Sequence, residues 1–256
     1  MSPNQLGFYT LLKKEVMRFW SVLGQTVTAP VLTALLYLLV FAQALSGRIV
    51  SGYDGISYTQ FLLPGLVMMT VIQNAFSNTS SSLAQSKVNG NIVFLLMAPI
   101  GPVEMFLAYV GAALVRAFLV AVAMLVVAGP LVGLPVANPA ALLAMFLLAG
   151  SALAALGIIA GIVSTKFDHL AAFSNFIITP LSFLSGVFYS VHSLPPFWHG
   201  VSRLNPFFYL IDGFRHGFFG QSDVSPWLSL GVVGAATAVV AALALHLLKT
   251  GYKIRH

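Results

Sequence analysis

Few side chains in this sequence are of a kind that does chemistry. His192 and His199 stand seven residues apart, a separation that could bring two imidazoles near one metal ion. No acidic residue sits beside them, so a hydrogen-bonded or interfacial role is the better reading and no metal site is expected. Ser185-Gly186 is preceded by Phe183-Leu184, which does not make the G-x-S-G of an intramembrane serine protease. No Gly-Lys pair occurs, so there is no G-x-x-x-x-G-K-[ST] phosphate loop, and no H-E-x-x-H. The absence of cysteine excludes disulfides, thiolate metal sites and cysteine nucleophiles. No catalytic residue is expected.

What remains is polarity where polarity is costly. Thr70, Asn74, Ser77 and Ser81 recur at spacings of 4, 3 and 4 within an apolar stretch. Asn175, Thr179, Ser182 and Gly186 repeat that spacing, and so do Thr26, Pro30, Thr33 and Tyr37. Each set forms one helical stripe. Such stripes either hold helices together or line a path through the membrane, and the spacing alone serves both. Arg116 is the one clear charge inside a span, and the sequence does not name its partner. Gly150, Ala154, Gly157 and Gly161 make a small-residue seam suited to close packing.

The elements that position these stripes follow from composition. Of 256 residues, 59% are apolar and 7% charged, against about 25% charged in a soluble domain. This is an all-α integral membrane protein, and soluble-enzyme classes are excluded. The net charge of +6 meets lipid headgroups, not nucleic acid, because the basic residues are scattered among spans. Crossing ~30 Å of hydrocarbon takes roughly 20 apolar residues. Six stretches qualify: about Val22 to Leu45, Phe61 to Ala84, Met105 to Gly129, Pro139 to Val163, Leu170 to Tyr189 and Trp227 to Leu248. They form a single membrane domain, 1–256. Lys13, Lys14, Arg18, Lys87, Lys166, Lys249, Lys253 and Arg255 fall on one side; Arg48, Arg203 and Arg215 fall on the other. The excess places both termini in the cytoplasm. Ala42-Gln43-Ala44 resembles a signal cleavage site, but the apolar stretch before it is too long for a signal peptide.

Three segments are not spans. Residues 5–20 read as an amphipathic helix at the cytoplasmic headgroups, either a lipid anchor or a lever touching a partner. In the second-to-third connection, Asn89-Gly90-Asn91 is a turn signal, and Ile92, Val93, Phe94, Leu95, Leu96 and Met97 make an apolar run too short to cross a bilayer. In a cytoplasmic loop such a run is buried in lipid, in the chain, or in a partner's groove. Residues 191–225 form an aromatic-rich external region. Asn205-Pro206 starts a helix there. It carries Phe207, Ile211, Phe214 and Phe218 at helical spacing, and Asp212 placed to pair with Arg215 or His216. This region reads as two short helices capping the external mouth, as a gate or as a fixed plug.

Four motifs in order carry a family resemblance: FLLPGLVMM (Phe61 to Met69), KVNGNIVFLLMAPI (Lys87 to Ile100), SGVFYSVHSLPPFW (Ser185 to Trp198) and LNPFFYLIDGFRHGFFG (Leu204 to Gly220). With the six spans, they make the chain resemble an ABC-2 type transport permease, the membrane subunit of an ATP-driven exporter. The resemblance implies the ABC-2 (type V exporter) fold and a homodimer of permeases. It also implies a cognate ATP-binding subunit on a separate chain, which would hold ATP and Mg, with no cofactor in this chain. Lys87, Gly90 and Ile92 to Leu96 would belong to a coupling helix at 87–98. The pathway would run between the first, second and fifth spans, which favours path lining for Thr26, Thr33, Tyr37, Thr70, Asn74, Ser77, Ser81, Asn175, Thr179 and Ser182. Phe207, Ile211, Asp212, Phe214, Arg215 and Phe218 would lie in the external re-entrant pair. The alternatives are a self-sufficient channel or secondary transporter and, further off, an intramembrane enzyme. A small-molecule, lipid or glycan substrate is implied, without a choice among them.

Overall fold

The computed structural model describes residues 3–45 and 53–253. Arg48 and Arg255, used above in the charge balance, lie outside them. Among the described residues there are helices and turns and no strand. The helices are α1 (Pro3–Trp20), α2 (Leu23–Leu45), α3 (Tyr58–Val88), α4 (Ile92–Met97), α5 (Pro102–Val132) and α6 (Pro139–Val163). They continue with α7 (Phe167–Phe173), α8 (Thr179–Phe183), α9 (Pro196–Leu204), α10 (Pro206–Phe219) and α11 (Pro226–Thr250).

Five of these, α2, α3, α5, α6 and α11, are long and apolar enough to cross a membrane. The expected fifth span takes a different form. It is a helical run from Phe167 to Phe183, in which five residues of π-helix, Ser174–Ile178, separate α7 from α8. Pro180 has no N–H to give to the preceding turn, and a π turn is one way for a helix to absorb such a gap. Residues 184–189, expected to complete the span, are turns around Gly186, whose φ of +78° suits glycine. Their apolarity reflects burial inside the protein: Val187 and Phe188 are both buried.

Several helix starts follow directly from local chemistry. Ser57 and Gln60 form a reciprocal capping box on α3. Asn138 accepts from the Ala141 N–H ahead of Pro139, and Asn205 accepts from the Phe207 N–H ahead of Pro206, as its sequence predicts. Helix α3 is the axis of the fold, packed by α5, α6 and α10. The small-residue seam of α6 faces it. A Cβ at Gly157 would collide with Thr79 Oγ1 and the Phe76 carbonyl, and one at Gly161 would come within 2.8 Å of Leu83 Cβ. Thr79 Oγ1 donates to the Ala154 carbonyl at 2.8 Å, so the seam is both tight and hydrogen-bonded. By contrast α2 is peripheral, with Leu32, Leu36, Leu39 and Val40 exposed.

Candidate coupling segment, groove and external knot

The connection after α3 is built for presentation. Gly90 takes φ +72°, a left-handed turn that a residue with a Cβ adopts only under strain. Lys87 Nζ donates to the carbonyls of Ile162 and Ser164, at 2.6 and 2.8 Å, where α6 ends. A cation there complements the helix terminus. Lys87, expected at the coupling surface, is therefore engaged inside the chain. Beyond the turn α4 splits the expected apolar set. Ile92 is buried and Leu95 half-buried, while Val93, Phe94 and Leu96 point outward. Phe94 is 72% exposed and Met97 77%. Met97, the last residue of the expected apolar run, stands one turn past Val93 on the same face. The far end is braced by α1, where a Cβ on Gly7 would sit 2.6 Å from Ile100 Cγ1.

A groove of about 240 Å³ lies between α2 and α3. Thr33, Tyr37 and Thr70, expected on the path, line it together with Pro30 and Gln73. Gln73 escaped the sequence pattern, though it follows Thr70 by three residues. The other expected pathway residues go elsewhere. Asn74 is buried and turned toward α5: its Nδ2 donates to the Thr70 carbonyl at 3.0 Å, and its Oδ1 accepts from Arg116 Nε at 3.2 Å. Thr26 is half-buried and donates to the Leu23 carbonyl at 3.2 Å. Ser77 is exposed and Ser81 half-buried. On the α7–α8 stretch Asn175 is exposed, Thr179 half-buried, and Ser182 buried with its hydroxyl donating to the Ile178 carbonyl at 2.7 Å. None of these last three lines the α2–α3 groove of its own chain.

The partner of Arg116 is thus an amide. Arg116 Nη1 also lies 3.5 Å from Asn78 Oδ1, an oxygen that accepts from Arg18 Nη2 of α1 at 3.1 Å. Arg18 Nη2 reaches the Asn78 carbonyl too, at 2.8 Å, and Arg18 Nε pairs with the buried Glu15 at 3.2 Å. Asn78 was missed because the stripe was counted 74, 77, 81; it lies four residues after Asn74 and shares its side of the helix.

Helix α10, expected at the external mouth, is packed, not open. Phe207, Ile211, Asp212, Phe214, Arg215 and Phe218 are all buried. The expected pairing of Asp212 with Arg215 or His216 does not form among the described residues. Asp212 instead accepts from the Tyr53 hydroxyl at 3.2 Å and from the backbone N–H groups of Asp223 and Val224 at 2.7 and 3.3 Å. Burial, followed by the Asp212 charge, pushes the Tyr53 hydroxyl above the usual phenol range, which keeps it a donor. Arg215 points the other way. It donates to the carbonyls of Phe61, Gly186 and Val187 at 3.2, 2.8 and 2.7 Å, with its guanidinium 3.5 Å over the Phe61 ring. The turn after α8 leaves carbonyls without helical partners, and a five-donor fork satisfies them better than one carboxylate would satisfy the fork. Gly65 admits this approach: a Cβ there would be 2.8 Å from Arg215 Nη2. The rings of His192 and His199 lie 6.1 Å apart, tilted by 36°, with His192 Nε2 3.1 Å from the Asp223 carbonyl.

Comparison with known proteins places this geometry. Residues 7–219 match the ABC-2 type transporter family. The chain is similar to the inner membrane transport permease YadH of Escherichia coli (strain K12), 37% identical over 220 residues, which cover 86% of each chain. The YadH of Shigella flexneri gives the same figures, 37% identity with 86% of each chain covered. It is also similar to nodulation protein J of Rhizobium meliloti (strain 1021), 26% identical over 91% of this chain and 89% of that one.

Proposed function

Since the chain belongs to the ABC-2 type transporter family and is similar to the inner membrane transport permease YadH, we propose that it is the permease subunit, not an enzyme, of an ATP-driven exporter. It works as a homodimer and docks a separate ATP-binding subunit that holds ATP and Mg. The observation that carries this reading is α4: an apolar face, Val93, Phe94, Leu96 and Met97, exposed at the end of a connection too short to cross the bilayer. Such a face finds its burial in a partner's groove.

In this reading the termini are cytoplasmic, and the run from Phe167 to Phe183 supplies the sixth crossing; 17 helical residues reach about 25 Å at 1.5 Å each. Helices α9 and α10 form the external re-entrant pair. ATP binding on the partner pushes α4, and the inner side closes. Cargo leaves past the external helices, and hydrolysis resets the cycle. The α2–α3 groove of each copy contributes to the path. The purified chain alone should show no ATP hydrolysis, and co-purification with the cognate ATPase should give hydrolysis stimulated by the permease. Robust turnover by the isolated chain would sink the reading.

A further inference from the structure

Two cations meet where α1 turns into α2. Arg18 stands two residues before the end of α1, and its guanidinium shares Asn78 Oδ1 with that of Arg116, at 3.1 and 3.5 Å. The one carboxylate in the cluster is Glu15. It is engaged by Arg18 Nε at 3.2 Å and by Lys14 Nζ at 3.3 Å. Among the described residues Arg116 therefore has no counter-charge; its hydrogen-bond acceptors are the side-chain oxygens of Asn74 and Asn78. Asn78 is fully buried, and its Nδ2 donor has no hydrogen-bond partner. Glu15 Oε1 is likewise buried with no hydrogen-bond partner among the described residues, and the cluster holds a surplus of positive charge. The chemistry that completes it is an anionic acceptor.

A chain of hydrogen bonds links the cluster to the groove. Thr70 lines the groove, its carbonyl accepts from Asn74 Nδ2, and Asn74 Oδ1 accepts from Arg116. The groove is amphipathic, with Thr33, Tyr37 and Gln73 against Ala34, Leu66 and Met69. We infer that Arg18 and Arg116 bind the acidic headgroup, phosphate or carboxylate, of an amphiphile drawn from the inner leaflet, and that its body lies along the α2–α3 groove. The choice of leaflet rests on the orientation proposed above; the charge argument does not.

The test is native mass spectrometry of the purified chain titrated with dioctanoyl phosphatidic acid, dioctanoylglycerol and inorganic phosphate. The phosphatidic acid should bind at least roughly tenfold tighter than either of the others. Losing one charged hydrogen-bonding group weakens a site by roughly ten- to hundredfold, and Arg116→Gln and Arg18→Gln should each show that loss. Arg203→Gln, at an exposed residue of α9, should bind as the unaltered chain does. Equal binding of the neutral lipid overturns the inference, as does phosphate binding as tightly as the lipid, which would mark a free-anion site. A monodisperse Arg116→Gln chain with unchanged affinity overturns it too. If Arg116→Gln does not fold, the ranking of the three ligands and the Arg18→Gln chain still decide. Phosphatidic acid binding by a chain that captures no ATPase would leave this inference standing and remove the permease reading. ATPase capture without lipid discrimination would do the reverse.

Discussion

A charge at position 94 separates docking from folding. Phe94 is 72% exposed at the tip of α4, so little of its side chain supports the chain itself. Burying a Phe in a partner's groove is worth roughly 1.5–3 kcal/mol. Phe94→Asp removes that term and forces a carboxylate into the same groove, at a cost of about the same again unless it is paired. A loss of ~3 kcal/mol weakens an interface about a hundredfold. The expected outcome is normal expression and membrane insertion, with the ATPase lost from pull-downs of the tagged permease in detergent. Ile92→Asp is the matched comparison. Ile92 is 8% exposed and packs on the chain's own core, so the charge should lower expression and thermal stability as well. Wild-type ATPase retention and turnover in Phe94→Asp would refute the coupling role of α4. Equal destabilisation by both substitutions would refute the division of its faces.

Gly90→Val should strain the turn by roughly 1–2 kcal/mol, because the left-handed φ of +72° crowds a Cβ. Permease-stimulated ATP hydrolysis should fall while membrane insertion stays intact. Single cysteines, simple to place in a chain without any, should sort the polar stripes by labelling with a water-soluble maleimide. Thr33→Cys and Gln73→Cys should react, whereas Asn74→Cys, buried against α5, should not; fast labelling at 74 would contradict the helix packing. Arg215→Ala should be the most damaging of these changes. It removes three hydrogen bonds and leaves buried carbonyls unpaired, each worth about 1–3 kcal/mol, so the chain should be poorly expressed and melt early in detergent.

The spans and segments were legible where one local rule decided them. Length and apolarity gave the five long helices, Asn205-Pro206 gave the start of α10, and Asn89-Gly90-Asn91 gave the turn before α4. The small-residue spacing of α6 gave its packing face. The end of the fifth apolar stretch misled because hydropathy does not distinguish lipid from protein interior; Val187 and Phe188 are buried in the protein, with the Phe188 ring against Tyr37 and Phe41 of α2. The polar stripes were located correctly on their helices, yet a stripe fixes a face and not what stands opposite. Thr33, Tyr37 and Thr70 meet across a groove, while Asn74, one turn along from Thr70, is taken by Arg116. The acceptors of Arg215 were out of reach of sequence reasoning for another reason. Two are backbone carbonyls freed by a turn 28 and 29 residues away and the third is the Phe61 carbonyl of α3, 154 residues away, while Asp212 was the nearer but wrong candidate.

Helix α3 begins at one knot and ends at another. Near its start, the Phe61 carbonyl and the gap at Gly65 hold Arg215 and the turn after α8. At its end, Lys87 is tied to α6, and Gly90 launches α4. Between Phe61 and Val88 the rise is about 40 Å at 1.5 Å per residue, nearly all of it encased by neighbours. A rod gripped along its length does not bend to absorb a push; it tilts or slides whole. In the proposed exporter, a displacement delivered to α4 would therefore be carried along α3 toward Arg215. Substitutions that loosen the Arg215 knot should then blunt the response to a force applied at the opposite end of the helix.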